Sequence, residues 1–174
     1  MEPRAHPAAG EPAAGEPAAD APAADAPARA AREAADALYA GDHAARALGM
    51  EVLEVSAGRA RIAMTVRRDM LNGHGMCHGG LLFALADTAF AYACNSYGIA
   101  TVAAGASIEF LAPAAAGERL IAAARETWRN ERQGLYDVAV CTESGATRAH
   151  FRGRCARLRT GATGASPEPK GSER

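Results

Sequence analysis

Aromatic side chains are scarce: Phe, Trp and Tyr make up 5% of the 174 residues. The hydrophobic fraction is 49%, much of it alanine, so a core made by this chain must rest on small and aliphatic side chains. Charge of one sign is also lacking. A formal net charge of −1 excludes the basic footprint of a nucleic-acid binder or of a protein drawn to anionic membranes. No apolar run reaches the ~20 residues of a membrane span, because the run after Gly80 is broken by Asp87 and Asn95. The N-terminal segment has no apolar h-region, so no secretory signal is expected, and the expected location is cytoplasmic. Paired cysteines are missing too. Cys77, Cys94, Cys141 and Cys155 show none of the close spacings of zinc or redox motifs, and are expected to be free buried thiols in a reducing compartment.

What is present falls into three parts. Residues 1–28 are low in complexity, with "EPAAGEPAADAPAADAPA" as their main text. Proline every few residues stops a helix from propagating, and nothing there can pack a core, so a disordered tail is expected. Residues 161–174, "GATGASPEPKGSER", read the same way. The folded domain is expected over 29–160.

Inside it, "ARAAREAADALYA" (28–40) is rich in helix formers and stops at Gly41. Asp42 is placed to cap a short second helix ending before Gly49. "MEVLEV", "SAG" and "RARIAMTV" then read as a β-hairpin, with Ile62, Met64 and Val66 alternating against polar or small neighbours. Residues 80–97 are too long and too poor in β-branched residues for a strand. Leu81, Leu82, Leu85, Ala86, Ala89, Phe90 and Ala93 recur at helical spacing, and an apolar surface around most of the girth places this helix inside the molecule. Four strand-like segments follow, 101–111, 119–128, 134–142 and 147–158, separated by turn-forming stretches. The expected class is α+β: a hairpin, one central helix, then an antiparallel meander curling over it.

The helix is preceded by "NGHGMCHGG" (72–80). Gly73, Gly75 and Gly79 miss the dinucleotide-loop spacing, and no βαβ unit follows. No Gly-Lys-Ser/Thr is present for a P-loop. His74, Cys77 and His78 offer metal-ligand chemistry without a fourth ligand or a zinc spacing. Cys77 beside His78 offers a thiol nucleophile without a separately placed base. Close helix packing alone would account for the glycines. It would not account for Asp87, a carboxylate inside "LADTAFA" that is costly to bury without a partner.

A helix that starts at glycine presents unpaired amides at the positive end of its dipole, open to close approach. Such amides hold a developing oxyanion on a carbonyl. Asp87 then supplies a nucleophile or a general base for acyl transfer. Gly79 and Asp87 are eight residues apart, about 12 Å of helix rise, too far to act on one carbonyl within one chain. If both act, they come from two copies whose helices pack antiparallel about a two-fold axis, which forms two shared sites.

The string "MLNGHGMCHGGLLFALADTAFAYACNS", with "ASIEFLAP", "GLYDVAV" and "FRGRC" further on, closely resembles the PaaI-type (phenylacetate-degradation) branch of the hotdog-fold acyl-CoA thioesterases. The resemblance covers roughly residues 48–158. It implies a hotdog fold, an antiparallel sheet wrapped around a long central helix, over the domain 29–160. It implies hydrolysis of phenylacetyl-CoA or hydroxyphenylacetyl-CoA-type thioesters to free acid and CoA, without a cofactor or metal. Carried over by position, Asp87 matches the catalytic carboxylate and the Gly79 amide the donor to the thioester carbonyl. Asn72 matches a side-chain amide positioning carbonyl or water, and His78 the motif histidine, which either orients the loop or touches substrate. The resemblance also implies a homodimer or dimer of dimers with sites at the subunit interface, and no nucleic-acid or membrane partner. Arg129 and Arg132, and Arg148, Arg152 and Arg154 on the last strand, are candidates for the CoA phosphates; the competing reading is a solvated strand face. Two other functions compete: a hotdog acyl-CoA hydratase or dehydratase, and a non-catalytic acyl-CoA binding protein.

Overall fold

The computed structural model describes residues 26–158. The tail expected over 161–174 lies outside the described residues, as does the tail expected over 1–28 up to residue 25. Helix α1 spans Ala26–Gly41 and so begins three residues inside that expected tail; a proline in the first turn of a helix is tolerated. Helix α2 spans His43–Ala47. The Asp42 carboxylate caps α2 by accepting from the Ala45 amide at 2.9 Å, and Gly49 turns the chain at φ +68°, a conformation natural to glycine. Strands β1 (Glu51–Ser56) and β2 (Arg59–Thr65) form the expected hairpin. A 3₁₀ turn, Arg68–Met70, leads to the glycine loop. The central helix α3 spans Gly79–Asn95. Strands β3 (Thr101–Phe110), β4 (Arg119–Arg129), β5 (Gln133–Thr142) and β6 (Thr147–Arg157) complete the fold.

The six strands form one antiparallel sheet in the order β1-β2-β4-β5-β6-β3. The meander expected over the last four strands therefore fails at its first link. β3 does not pair with β4; it lies at the far edge against β6, with Ile108 opposite Phe151. β4 instead lies beside β2, with Ala122 opposite Ile62. The turns after β4 and β5 are short and hold their strands together, whereas residues 111–118 are long enough to carry the chain across the end of the sheet. This crossing puts strands on both flanks of α3, so the sheet curls around it.

The buried face of α3 carries Leu82, Leu85, Ala86, Ala89, Phe90 and Ala93. It packs on β2, β4, β5 and β6, against Ile62, Met64, Leu120, Val138 and Val140, all fully buried. The few aromatic residues meet here: Phe90 stands edge-on to Tyr136 at 5.5 Å and Phe83 to Phe151 at 5.3 Å, arrangements favoured by the ring quadrupole. Gly153 sits beneath them, since a Cβ there would lie 2.9 Å from the Phe90 and Phe151 rings.

The described residues leave two surfaces uncovered. Ala84, Asp87, Thr88 and Ala91 form a half-buried stripe of small and polar residues along α3 at spacings that share one helix face. Next to it, β3 is exposed along most of its length, including Val102 and Phe110.

Candidate active site

The segment before α3 is fastened at both ends. The Cys77 amide donates to the Ala114 carbonyl at 2.8 Å and the His78 amide to the Met70 carbonyl at 2.9 Å. Between these anchors the chain makes a tight loop. The Asn72 amide donates to the Met76 carbonyl at 2.8 Å and the Gly75 amide to the Asn72 carbonyl at 2.9 Å. Gly75 has φ +75°, which explains a glycine there. The Asn72 side chain holds the loop from within: Oδ1 accepts from the amides of His74 at 2.9 Å and Met76 at 3.4 Å. Those donors fix the orientation of the Asn72 amide, and leave its NH2 group free to donate.

His78 is the N-cap of α3, with φ −62° and ψ 131°. Its Nδ1 accepts from the Gly80 amide at 3.0 Å, so the neutral ring carries its proton on Nε2. Its carbonyl accepts from the amides of Leu81 at 2.9 Å and Leu82 at 3.4 Å. Of the four first-turn donors of the helix, the Gly79 amide alone has no acceptor among the described residues. It opens into a cleft of about 320 Å³ lined by Asn72, Met76, Cys77, Leu82, Phe110 and Leu111, among others.

Phe110, the last residue of β3, covers this amide. Its ring lies 3.1 Å from where a Gly79 Cβ would stand, yet the side chain is 55% exposed and has room to swing away. Sequence reasoning did not assign Phe110 to the site. The available signal was an aromatic residue closing a strand just before the "LAP" turn.

Asp87 stands two turns further along α3, half-buried. Its side chain makes no hydrogen bond or ion pair with the described residues, and burial raises its pKa above the usual carboxylate value. The fold thus brings Gly79, Asn72 and His78 together and leaves Asp87 outside their cleft within one chain. Cys77 lines the cleft, but burial raises its thiol pKa, which disfavours the thiolate a nucleophile requires. His74, Cys77 and His78 do not form a metal-ligand cluster: among the described residues no group of three or more His, Cys, Asp or Glu converges.

The arginine candidates lie elsewhere. Arg129 stacks over the Tyr97 ring at 3.9 Å and lies 3.4 Å from a Glu126 carboxylate oxygen. Arg132 is in the β4–β5 turn, its amide donating to Asn130 Oδ1 at 2.9 Å. Both are near the C-terminal end of α3, remote from Gly79 of the same chain. Arg148 and Arg152 are bound to Glu118 and Asp137, each at 2.7 Å, and Arg154 donates to the Ala104 carbonyl at 2.9 Å.

A helix buried in a curled antiparallel sheet agrees with what comparison reveals. Residues 74–149 match the Thioesterase superfamily. The acyl-coenzyme A thioesterase PaaI of Escherichia coli (strain K12) is 46% identical over 128 residues, which span 74% of this chain and 91% of that protein. The chain belongs to the thioesterase superfamily. Its hotdog fold superposes on the structure of E. coli PaaI, from the phenylacetic acid degradation operon, with a TM-score of 0.75 and 45% identity, over 76% of this chain and 96% of that one. A mutant of the phenylacetic acid degradation protein PaaI from Thermus thermophilus gives a TM-score of 0.63 at 42% identity, over 66% and 97% of the two chains. This thioesterase is accordingly a thioester hydrolase with an α+β hotdog domain. No helix among its described residues is long and apolar enough to cross a membrane.

Proposed function

We propose that this thioesterase hydrolyses acyl-CoA thioesters of the phenylacetyl or hydroxyphenylacetyl type to free acid and CoA, in the cytoplasm. One observation carries the reading: among the described residues the first amide of α3, at Gly79, has no partner and lines an apolar cleft, while a carboxylate without a partner lies on the uncovered stripe of the same helix. The thioester oxygen accepts from the Gly79 amide, where developing negative charge meets the positive end of the helix. The free NH2 of Asn72 orients the carbonyl or the attacking water. Asp87 of the partner subunit either adds to the carbonyl carbon or takes a proton from a water that does so. The C–S bond then breaks and CoA leaves as a thiol once protonated; on the base route the water oxygen is by then in the free acid, and on the nucleophile route the acyl–Asp87 anhydride left behind is opened by a water to free acid and the Asp87 carboxylate.

The surfaces left uncovered by the described residues support a homodimer. An exposed ten-residue edge strand is an aggregation liability unless a partner covers it. Pairing β3 with a second β3 covers that edge and brings the Ala84–Ala91 stripes of two α3 helices face to face. Small residues there permit close antiparallel approach, with Gly79 of each helix beside Asp87 of the other. Arg129 and Arg132 remain candidates for the CoA phosphates, reached from the neighbouring subunit. A dimer of dimers is compatible with the same pairing.

Release of free CoA, followed with a thiol reagent over a panel of acyl-CoAs, tests the reading. Turnover fastest with arylacetyl-CoAs is expected. Hydration of enoyl-CoAs without CoA release would establish a hydratase instead, and tight acyl-CoA binding without turnover a binding protein.

A further inference from the structure

Phe110 closes β3 on the side of the sheet that faces α3. It stands two residues beyond Ile108 on the same strand, and residues two apart in a strand share a face. Ile108 packs against the core. Across the ladder Phe110 pairs with Ala149, which is fully buried. Yet Phe110 is 55% exposed, and Leu111 after it 56%. A ring on the inward face of a sheet, open to water, gains by being covered with an apolar group. The described residues supply no such cover.

The ring reaches end-on toward the start of α3. Its Cζ, Cε1 and Cε2 atoms lie 3.1, 3.3 and 3.5 Å from where a Gly79 Cβ would stand. The missing side chain at Gly79 thus makes room for the ring as well as for a ligand. Both residues line the same cleft, with Met76, Leu82 and Pro113 along its walls. None of the nine lining residues is Asp, Glu, Lys, Arg or His. An uncharged, largely apolar lining suits a neutral group and is costly for a phosphate, so the acyl end of the substrate belongs here and the CoA phosphates outside. The volume of about 320 Å³ is at the small end of ligand pockets, roughly 300–1,000 Å³, as one end of an acyl-CoA requires.

We propose that Phe110 is a specificity-determining residue of the thioester site, its ring lying against the acyl group just beyond the carbonyl and selecting aryl groups over alkyl chains. A carbonyl that approaches the Gly79 amide meets this ring first. When the ring turns aside to admit it, the acyl group becomes the cover that the ring lacks. An aryl group then gains a ring-to-ring contact beyond its burial. An alkyl chain gains burial alone and loses more rotamer freedom on binding. The inference rests on the Gly79 amide holding the thioester oxygen, as proposed above. The competing cover is the partner's α3. Edge-to-edge pairing of two β3 strands satisfies backbone groups and does not by itself cover a ring on the inward face.

The test compares the full chain with Phe110→Leu, which keeps apolar bulk and removes the ring, and Phe110→Ala, which removes both. kcat/KM is measured for phenylacetyl-CoA and octanoyl-CoA, which have equal numbers of acyl carbons. In Phe110→Leu the ratio of the first value to the second should fall by about tenfold, the scale of a hydrophobic pocket contact. The ratio should fall at least as far in Phe110→Ala. The Kd values of the two corresponding non-hydrolysable thioethers, measured by calorimetry, should shift in the same order. An unchanged ratio in both variants overturns the proposal; if light scattering then shows a weakened dimer, the partner subunit is the cover. Should Phe110→Ala not fold or dimerise, Phe110→Leu decides. If the wild type releases CoA from neither substrate, the reading of the substrate fails, and the ratio of thioether Kd values decides the role of Phe110 alone.

Discussion

His78 occupies three of the four donors at the start of α3: its Nδ1 takes the Gly80 amide at 3.0 Å and its carbonyl takes those of Leu81 and Leu82. The Gly79 amide is left free by this arrangement. A histidine in the N-cap position thus aims the one amide that opens into the cleft. We expect His78→Ala to destabilise the protein by about 1 kcal/mol, as loss of a cap does, and to lower kcat. His78→Asn, which restores a side-chain acceptor, should recover both melting temperature and rate. Recovered stability with a rate still depressed would mean that His78 acts on substrate directly.

Asn72 has two separable functions. Its oxygen holds the loop and its NH2 group is free. Asn72→Asp keeps an acceptor for the His74 and Met76 amides and removes the donor; Asn72→Ala removes both. Both variants should lose turnover, and binding of a non-hydrolysable CoA thioether should change little, because positioning matters most in the transition state. Melting temperature should fall only in the alanine variant, by the loss of about 1 kcal/mol of hydrogen bonding. An aspartate variant as active as wild type would restrict Asn72 to shaping the loop.

How much of this was legible in the sequence depended on the range of the interaction. The central helix, the hairpin and the Asp42 cap follow from periodicity and local chemistry, and all three are found. The place of β3 was not legible. Its pairing with β6 depends on how the 111–118 segment crosses the sheet, and strand composition does not encode that choice. Phe110 was missed for the same reason: it reaches Gly79 only once β3 lies at the far edge. The separation of Gly79 from Asp87 was legible, since helix rise alone fixes it. The capping role of His78 was open, because an N-cap histidine is rare and only coordinates distinguish its two nitrogens.

Asp87 gives a signed pH prediction. Burial raises its carboxyl pKa, so the folded chain holds that proton more tightly than the unfolded one. The associated stability is fully present below the ordinary carboxylate pKa of about 3.9 and is lost as pH rises through the raised value. Asp87→Asn should therefore be more stable than wild type at neutral pH, with the difference closing in acid. Urea midpoints at both pH values measure it, and a difference that ignores pH would remove the desolvation argument. Turnover should fall at least about a hundredfold in the same variant. In wild type, kcat/KM should rise with pH through the raised pKa, since only the carboxylate can act. A single turnover in ¹⁸O-water places label in Asp87 if it is a nucleophile whose anhydride is opened at the Asp87 carbonyl; a general base leaves Asp87 unlabelled and sends the label to the free acid.

The shared site can be tested by complementation between two dead chains. One carries Asp87→Asn and the other Gly79→Pro. The proline is well suited to its place: Gly79 is the first residue of α3, where a missing N–H is tolerated, and His78 already has ψ 131°, as a residue before proline prefers. The substitution removes the amide donor and leaves the helix its start; the Phe110 ring must swing toward solvent to admit it. Each homodimer should be nearly inactive. In a heterodimer, one site carries both defects and the other neither. Random mixing gives about half heterodimers with one good site each, so activity should return to about a quarter of wild type. Light scattering must first show that the proline variant dimerises. If heterodimers form and activity stays at the level of the parents, Gly79 and Asp87 do not meet across an interface. The ~12 Å of helix between them would then have to be bridged by a residue other than Asp87 acting at the Gly79 cleft.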